Sequence, residues 1–167
     1  RARAPVATPE GFVGQLREYQ QRGVGWLQYL GRLGLGACLA DDMGLGKTAQ
    51  LIGTMLADRT DAPTLVVCPT SVIGNWEREL GRFAPGVRVL THHGTQRART
   101  PKTFARQCGK HDVVVTSYGT LARDVALVAG VGWGRLVLDE AQQVKNPHTA
   151  QAKAVRQVQA GRRIAMT

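Results

Sequence analysis

The chain has 167 residues, 43% of them hydrophobic, and a formal net charge of +10. That size suits one domain with a single core, and that composition excludes a disordered chain. No run approaches the roughly 20 consecutive apolar residues of a membrane span, and the start, "RARAPVATPEGF", lacks the apolar core of a secretory signal. Residues 1–13 read as a polar leading segment, ahead of one domain over 14–167. In "LREYQQRGVGWLQYL", Leu16, Tyr19, Gly23, Trp26, Leu27 and Leu30 recur every three or four residues, which predicts a helix with Trp26 in the core. "GACLA" reads as a short strand ending at Asp41, and "KTAQLIGTMLAD" as a helix with an apolar stripe. "TLVVC" is a buried strand. "PTSVIGNWERELGRF" is a helix with Ser71 as N-cap and with Val72, Trp76 and Leu80 on its inner face. "VRVL", "DVVVT", "RLVLD" and "RRIAM" are further strands, and "TAQAKAVRQVQ" is a helix before the last. Strands alternating with helices predict an α/β domain on a mostly parallel sheet, with ligands beyond the carboxyl ends of its strands.

Cys38, Cys68 and Cys108 are widely spaced and form no C-x-x-C. They read as small reduced residues, and a reducing compartment fits. Acids are absent from Leu80 to His111 and again from Ala141 to Thr167, while Arg97, Arg99 and Lys102 are among the bases of the first stretch. Such runs attract polyanions, although a solvated face is an equal reading.

"LADDMGLGKT" carries the strongest local signal. Gly44 and Gly46 allow a tight turn that aims backbone N–H groups at phosphate oxygens. Lys47 would reach the β- and γ-phosphates, Thr48 would offer its hydroxyl to Mg²⁺, and the following helix adds its positive end. Asp41 stands where the strict motif has its first glycine. Asp42, Met43, Gly44, Leu45, Gly46, Lys47 and Thr48 are the candidate ATP-binding run. "LVLDEAQ" places Asp139 and Glu140 straight after an apolar strand. Two acids there make a solvated turn or a metal site. Beside a phosphate loop, Asp139 fits the Mg²⁺ role and Glu140 the polarisation of an attacking water.

The order of these motifs resembles the Swi/Snf-type ATPases of helicase superfamily two, over about residues 14–167. "DDMGLGKT", "LVVCPTSVIGNWERE", "THHGTQR", "VVVTSYGTL" and "LDEAQQVKN" carry the resemblance. It implies a first RecA-like P-loop lobe, ATP and Mg²⁺ as ligands, and movement on double-stranded DNA without strand separation. It gives Gln20 the adenine and Gln142 the coupling of hydrolysis to lobe movement. Pro69, Thr70 and Ser71, then Thr116, Ser117 and Tyr118, become DNA-backbone contacts, joined by Arg97, Arg99 and Lys102. Ser71 and Ser117 are also plain N-cap candidates. His92 and His93 read as packing or solvent residues rather than ligands. "RRIAMT" matches the opening of a motif that the family continues with Gly-Thr-Pro. The second lobe and its arginine are therefore expected beyond this sequence, and these residues alone are expected to turn over ATP poorly. The Asp-Glu-Ala-Gln form is common in bacterial members, so the expected place is the bacterial cytoplasm, on nucleoid DNA, or the nucleus if the source is eukaryotic. A DNA-bound protein is a possible substrate. The alternatives are another superfamily-two helicase, a non-catalytic DNA-binding module on a decayed ATPase fold and, more distantly, a P-loop kinase.

Overall fold

Among the described residues, six strands form one all-parallel sheet in the order β1-β6-β5-β2-β4-β3. The strands are β1 (Ala37–Leu39), β2 (Thr64–Cys68), β3 (Val89–His92), β4 (Val113–Ser117), β5 (Trp133–Leu138) and β6 (Ala160–Met166). The helices are α1 (Glu18–Arg32), α2 (Lys47–Ala57), α3 (Ile73–Phe83), α4 (Pro101–Cys108), α5 (Tyr118–Arg123), α6 (Val125–Ala129) and α7 (Ala150–Gln157). The computed structural model describes residues 6–34, 36–39 and 46–167.

β2 and β4 are buried along their whole length, as a parallel strand covered on both faces must be. Alternation then divides their side chains between two cores. Val66, Cys68, Val113 and Val115 face α2 and α3 through Leu51, Ile52, Met55, Trp76 and Leu80. Leu65, Val67 and Val114 face α4 to α7 through Phe104, Tyr118, Leu121, Val128 and Val155. The expected α/β fold with helices on both faces is therefore present, and the strands line up at their carboxyl ends. Leu138 pairs with Val67, Val67 with Thr116, and Thr116 with His92. Asp139 stands one residue beyond that row.

Two local expectations change. Trp26 is 50% exposed, and the buried face of α1 is instead Gln20, Val24, Leu27 and Gly31. That face is one position round from the apolar stripe counted in the sequence. Its packing on α2 is close because Gly23 has no side chain: a Cβ there would lie 1.7 Å from Nε2 of Gln50. Ser71 caps no helix. It is exposed on a 3-10 turn, Thr70–Val72, and α3 begins only at Ile73. Ser117 does cap, accepting the Thr120 N–H at 3.1 Å to start α5.

The amino end of the sheet is closed by an ion cluster. Arg135, 2% exposed, reaches Asp58 at the end of α2 with Nη2 at 3.4 Å from Oδ2, and Arg162 donates to the same oxygen at 3.1 Å. Arg135 also donates to Thr64 Oγ1 at 3.3 Å and to the Asp58 carbonyl. Among the described residues no helix is long and apolar enough to cross a membrane.

Candidate active site

Gly46 ends the candidate phosphate loop with φ 82°, a conformation that a side chain rarely adopts, and a Cβ there would meet Gln20 Nε2 at 2.2 Å. Lys47 and Thr48, both half-buried, open α2 immediately after it. Asp42, Met43, Gly44 and Leu45, also named from the sequence, lie outside the described residues. Gln20 is buried at the start of α1, where its Oε1 accepts the Arg17 N–H at 2.8 Å and its Nε2 donates to the Gly46 carbonyl at 3.3 Å. One amide thus ties α1 to the loop. Lys47 Nζ donates to the Thr167 carbonyl beyond β6.

Asp139 is brought to the same end of the sheet by β5. Its Oδ2 accepts the indole N–H of Trp76 at 2.8 Å, and its backbone N–H donates to Val67 at 2.8 Å. The hydroxyl of Tyr118 donates to its carbonyl at 2.7 Å. Burial pushes the Asp139 carboxyl above its ordinary value and the Glu140 charge adds to this, while the Trp76 bond, the Glu140 backbone N–H and the Lys47 charge pull it back. The neighbouring Cys68 thiol is pushed up to about 12 by burial and then by Asp139, so it stays protonated and inert. Glu140 is exposed and holds φ 52° and ψ 52°, the one non-glycine with positive φ among the described residues. A left-handed non-glycine costs roughly 1–3 kcal/mol and occurs most at functional sites. Gln142, exposed on the 3-10 turn Ala141–Val144, donates to Glu140 Oε2.

These positions suit a small divalent cation held with a nucleotide. Among the described residues no group of three or more His, Cys, Asp or Glu side chains could hold a metal by itself. Magnesium in phosphoryl-transfer sites takes only one or two carboxylates, a hydroxyl and phosphate oxygens. Asp139 and Thr48 are the residues that would supply those protein groups. An under-solvated carboxylate, held on one oxygen by a neutral donor, is one that a cation would relieve.

The candidate DNA contacts divide. Thr70 and Ser71 are exposed and Pro69 is half-buried at the mouth of α3. Thr116 is wholly buried and donates to the His92 carbonyl at 2.7 Å, Ser117 is the α5 cap, and Tyr118 is turned to Asp139, so these three hydroxyls serve the fold. Arg97 is bound inside as well, with Nε 2.6 Å and Nη2 3.3 Å from the two oxygens of Asp124. Buried His92 meets Asp124 at 2.7 Å. Burial lowers the His92 pKa, so the neutral ring donates from Nε2. Burial works against the Asp124 charge, but the Arg97 and His92 bonds outweigh it and hold its carboxyl below the usual range. His93 instead meets Thr120 Oγ1 at 2.9 Å. Arg99 and Lys102 remain exposed. Sequence reasoning missed Asp124 as the partner of Arg97 and the polar ends of Trp76 and Tyr118 as partners of Asp139.

An all-parallel sheet with a lysine-headed helix and paired acids at one carboxyl edge is a RecA-like lobe. The SNF2-related domain family matches residues 19–167, and the chain belongs to that family. It is 46% identical over 160 residues to YwqA of Bacillus subtilis, covering 93% of this chain and 17% of that protein. It is 36% identical over 178 residues to the human chromatin-remodeling ATPase INO80, covering 100% of this chain and 11% of that one. Among solved structures, the Sulfolobus solfataricus SWI2/SNF2 ATPase core in complex with dsDNA matches with a TM-score of 0.84 and 38% identity, covering 100% of this chain and 34% of that chain. The chain thus spans well under half the length of these relatives.

Proposed function

We propose that this chain is the first, ATP-binding lobe of a double-stranded DNA translocase or remodeller that hydrolyses ATP to move on duplex or displace bound proteins. The observation that carries this is that Lys47, at the head of α2, lies within electrostatic reach of Asp139, just beyond β5 and next to Glu140, in a chain whose fold matches a SWI2/SNF2 core bound to dsDNA. Lys47 and the Gly46 turn bind and orient the β- and γ-phosphates. Thr48 and Asp139 would hold Mg²⁺, which neutralises charge on the phosphates when bound. Glu140, fixed by its left-handed backbone and by Gln142, orients the attacking water. Gln20 adjoins the loop where an adenine would be read, and Gln142 faces outward where a second lobe would report on hydrolysis. Thr70, Ser71, Arg99 and Lys102 are the contacts we retain for the DNA backbone, which positions the protein without reading bases. A γ-phosphate-facing arginine is expected from elsewhere in the parent protein.

Phosphate release by the parent protein, with and without linear duplex, tests this reading. Duplex should stimulate release, and a forked duplex should stay paired. Release indifferent to DNA would overturn the translocase reading, and strand separation would favour a true helicase.

A further inference from the structure

Two helices tied to the retained DNA contacts each place a buried aromatic on the same acid: α3 follows Thr70 and Ser71, and α5 ends at Asp124, which Arg97 binds two residues before Arg99. α3 follows the Thr70–Val72 turn, and its Trp76 is wholly buried among the residues on one face of the sheet. α5 begins at the Ser117 cap, and its Tyr118 is buried on the opposite face. Trp76 donates to the Asp139 carboxylate, and Tyr118 donates to the Asp139 carbonyl. Asp139 is therefore gripped from both faces of the sheet by neutral donors.

A buried indole or phenol needs some partner, and a backbone carbonyl usually serves. Trp133 shows that ordinary solution, donating to the Val128 carbonyl at 2.9 Å. Trp76 instead takes a carboxylate that lies within electrostatic reach of Lys47. Tyr118 takes the carbonyl of the peptide that leads into the left-handed Glu140. One bond sets the orientation of the candidate metal-holding oxygen pair. The other sets the peptide plane from which the candidate water-orienting residue departs.

We propose that Trp76 and Tyr118 are positioning residues that couple duplex binding to Mg²⁺–nucleotide binding through Asp139. This rests on the functional reading given above. Phosphates pressed on Thr70 and Ser71 move the start of α3, and Trp76 lies within the first turn or so of that helix. A shift of α3 or α5 carries its donor with it, because a packed core moves in discrete rearrangements rather than by smooth deformation. Coupling of this kind is a ratio of affinities, typically about 5–150-fold, and it is reciprocal.

The test uses the parent protein with Trp76→Phe and Tyr118→Phe, which keep an aromatic ring at each position and remove each donor. A fluorescent ATP analogue is titrated with Mg²⁺ present, with and without a short duplex. The parent should bind the analogue at least about fivefold more tightly on duplex. In each variant that ratio should fall towards one. A preserved ratio in the variants would overturn the proposal, and so would a loss of both affinities with the ratio intact, which is what a merely structural role gives. If Trp76→Phe does not fold, the ratio in Tyr118→Phe decides alone. A parent protein whose analogue affinity ignores duplex would overturn the functional reading itself.

Discussion

At the amino end of the sheet Asp58 accepts hydrogen bonds from two arginines, and buried Arg135 has a carboxylate, a carbonyl and a hydroxyl around it. At the carboxyl end the Asp139 carboxylate accepts the neutral indole N–H of Trp76 and is bonded to no arginine, and burial leaves it above the ordinary range. Glu140 beside it is exposed and holds a strained backbone. The same residue types are neutralised at one end and left open at the other. Charge that is compensated within the fold serves stability, whereas charge left under-compensated is available to a ligand.

Removing a charge from each end should therefore have opposite consequences. The largest effect belongs to Lys47→Ala in the parent protein, where phosphate release should fall by about 10³-fold or more. Release close to the parent rate would remove Lys47 from the site. Asp58→Ala should then cost about 3–5 kcal/mol in chemical denaturation, because it leaves the Arg135 guanidinium buried without its carboxylate. Asp139→Asn keeps an acceptor for Trp76 and should cost less than about 1 kcal/mol. If Asp139→Asn proved the more destabilising of the two, the contrast between the ends would collapse.

Acid should act through the buried His92 and its partner Asp124. The folded pKa of His92 lies below its ordinary 6.5, so as pH falls the unfolded chain takes up that proton first. Its contribution to stability is complete above 6.5 and is lost as pH falls from there through the folded value. Asp124, held below 3.8, adds a second loss at lower pH. Asp139, raised above 3.8, has the opposite sign and favours the folded state on acidification. The melting temperature should therefore drop between about pH 7.5 and about pH 5.5, and His92→Gln should flatten that drop. An unchanged slope would mean that His92 is already charged in the folded chain.

The smallest effect is on duplex affinity. Arg99→Glu with Lys102→Glu should weaken binding and reduce the salt slope by about one for each phosphate no longer neutralised. Arg97→Ala should instead lower the melting temperature, because it strips Asp124 of its guanidinium. A change in salt slope from Arg97→Ala as large as that from Arg99 and Lys102 would return Arg97 to the DNA surface.

The parts legible in the sequence were those written in continuous patterns. β2 and β4 are short buried runs dominated by Val and Leu, and the structure puts Lys47 at the head of α2 and Asp139 just past β5, where the motifs stand in the sequence. The helices α4, α5 and α6 escaped the sequence reading: α5 and α6 are six and five residues long, too short to show a helical period, and α4 is a mostly polar helix of eight residues whose buried residues are Phe104 and Cys108 alone. Thr100 caps α4 by accepting the Thr103 N–H at 3.3 Å, with Pro101 beside it. The inner face of α1 was missed because it holds Gln20 and two glycines, Gly25 and Gly31, which an apolar count passes over. Charge counting marked Arg97 as a free base because its partner, Asp124, is distant in sequence. Trp76 was legible as core, but a count of apolar positions does not show where an indole N–H points.

In the proposed function, the carboxyl end of this sheet holds a nucleotide and hydrolyses it. Single-turnover hydrolysis by the parent protein carrying Glu140→Gln, measured beside binding of a fluorescent ATP analogue, tests it most directly. Binding should stay close to that of the parent, and hydrolysis should be lower by about 10²-fold or more. Hydrolysis at the parent rate with binding intact would contradict the claim.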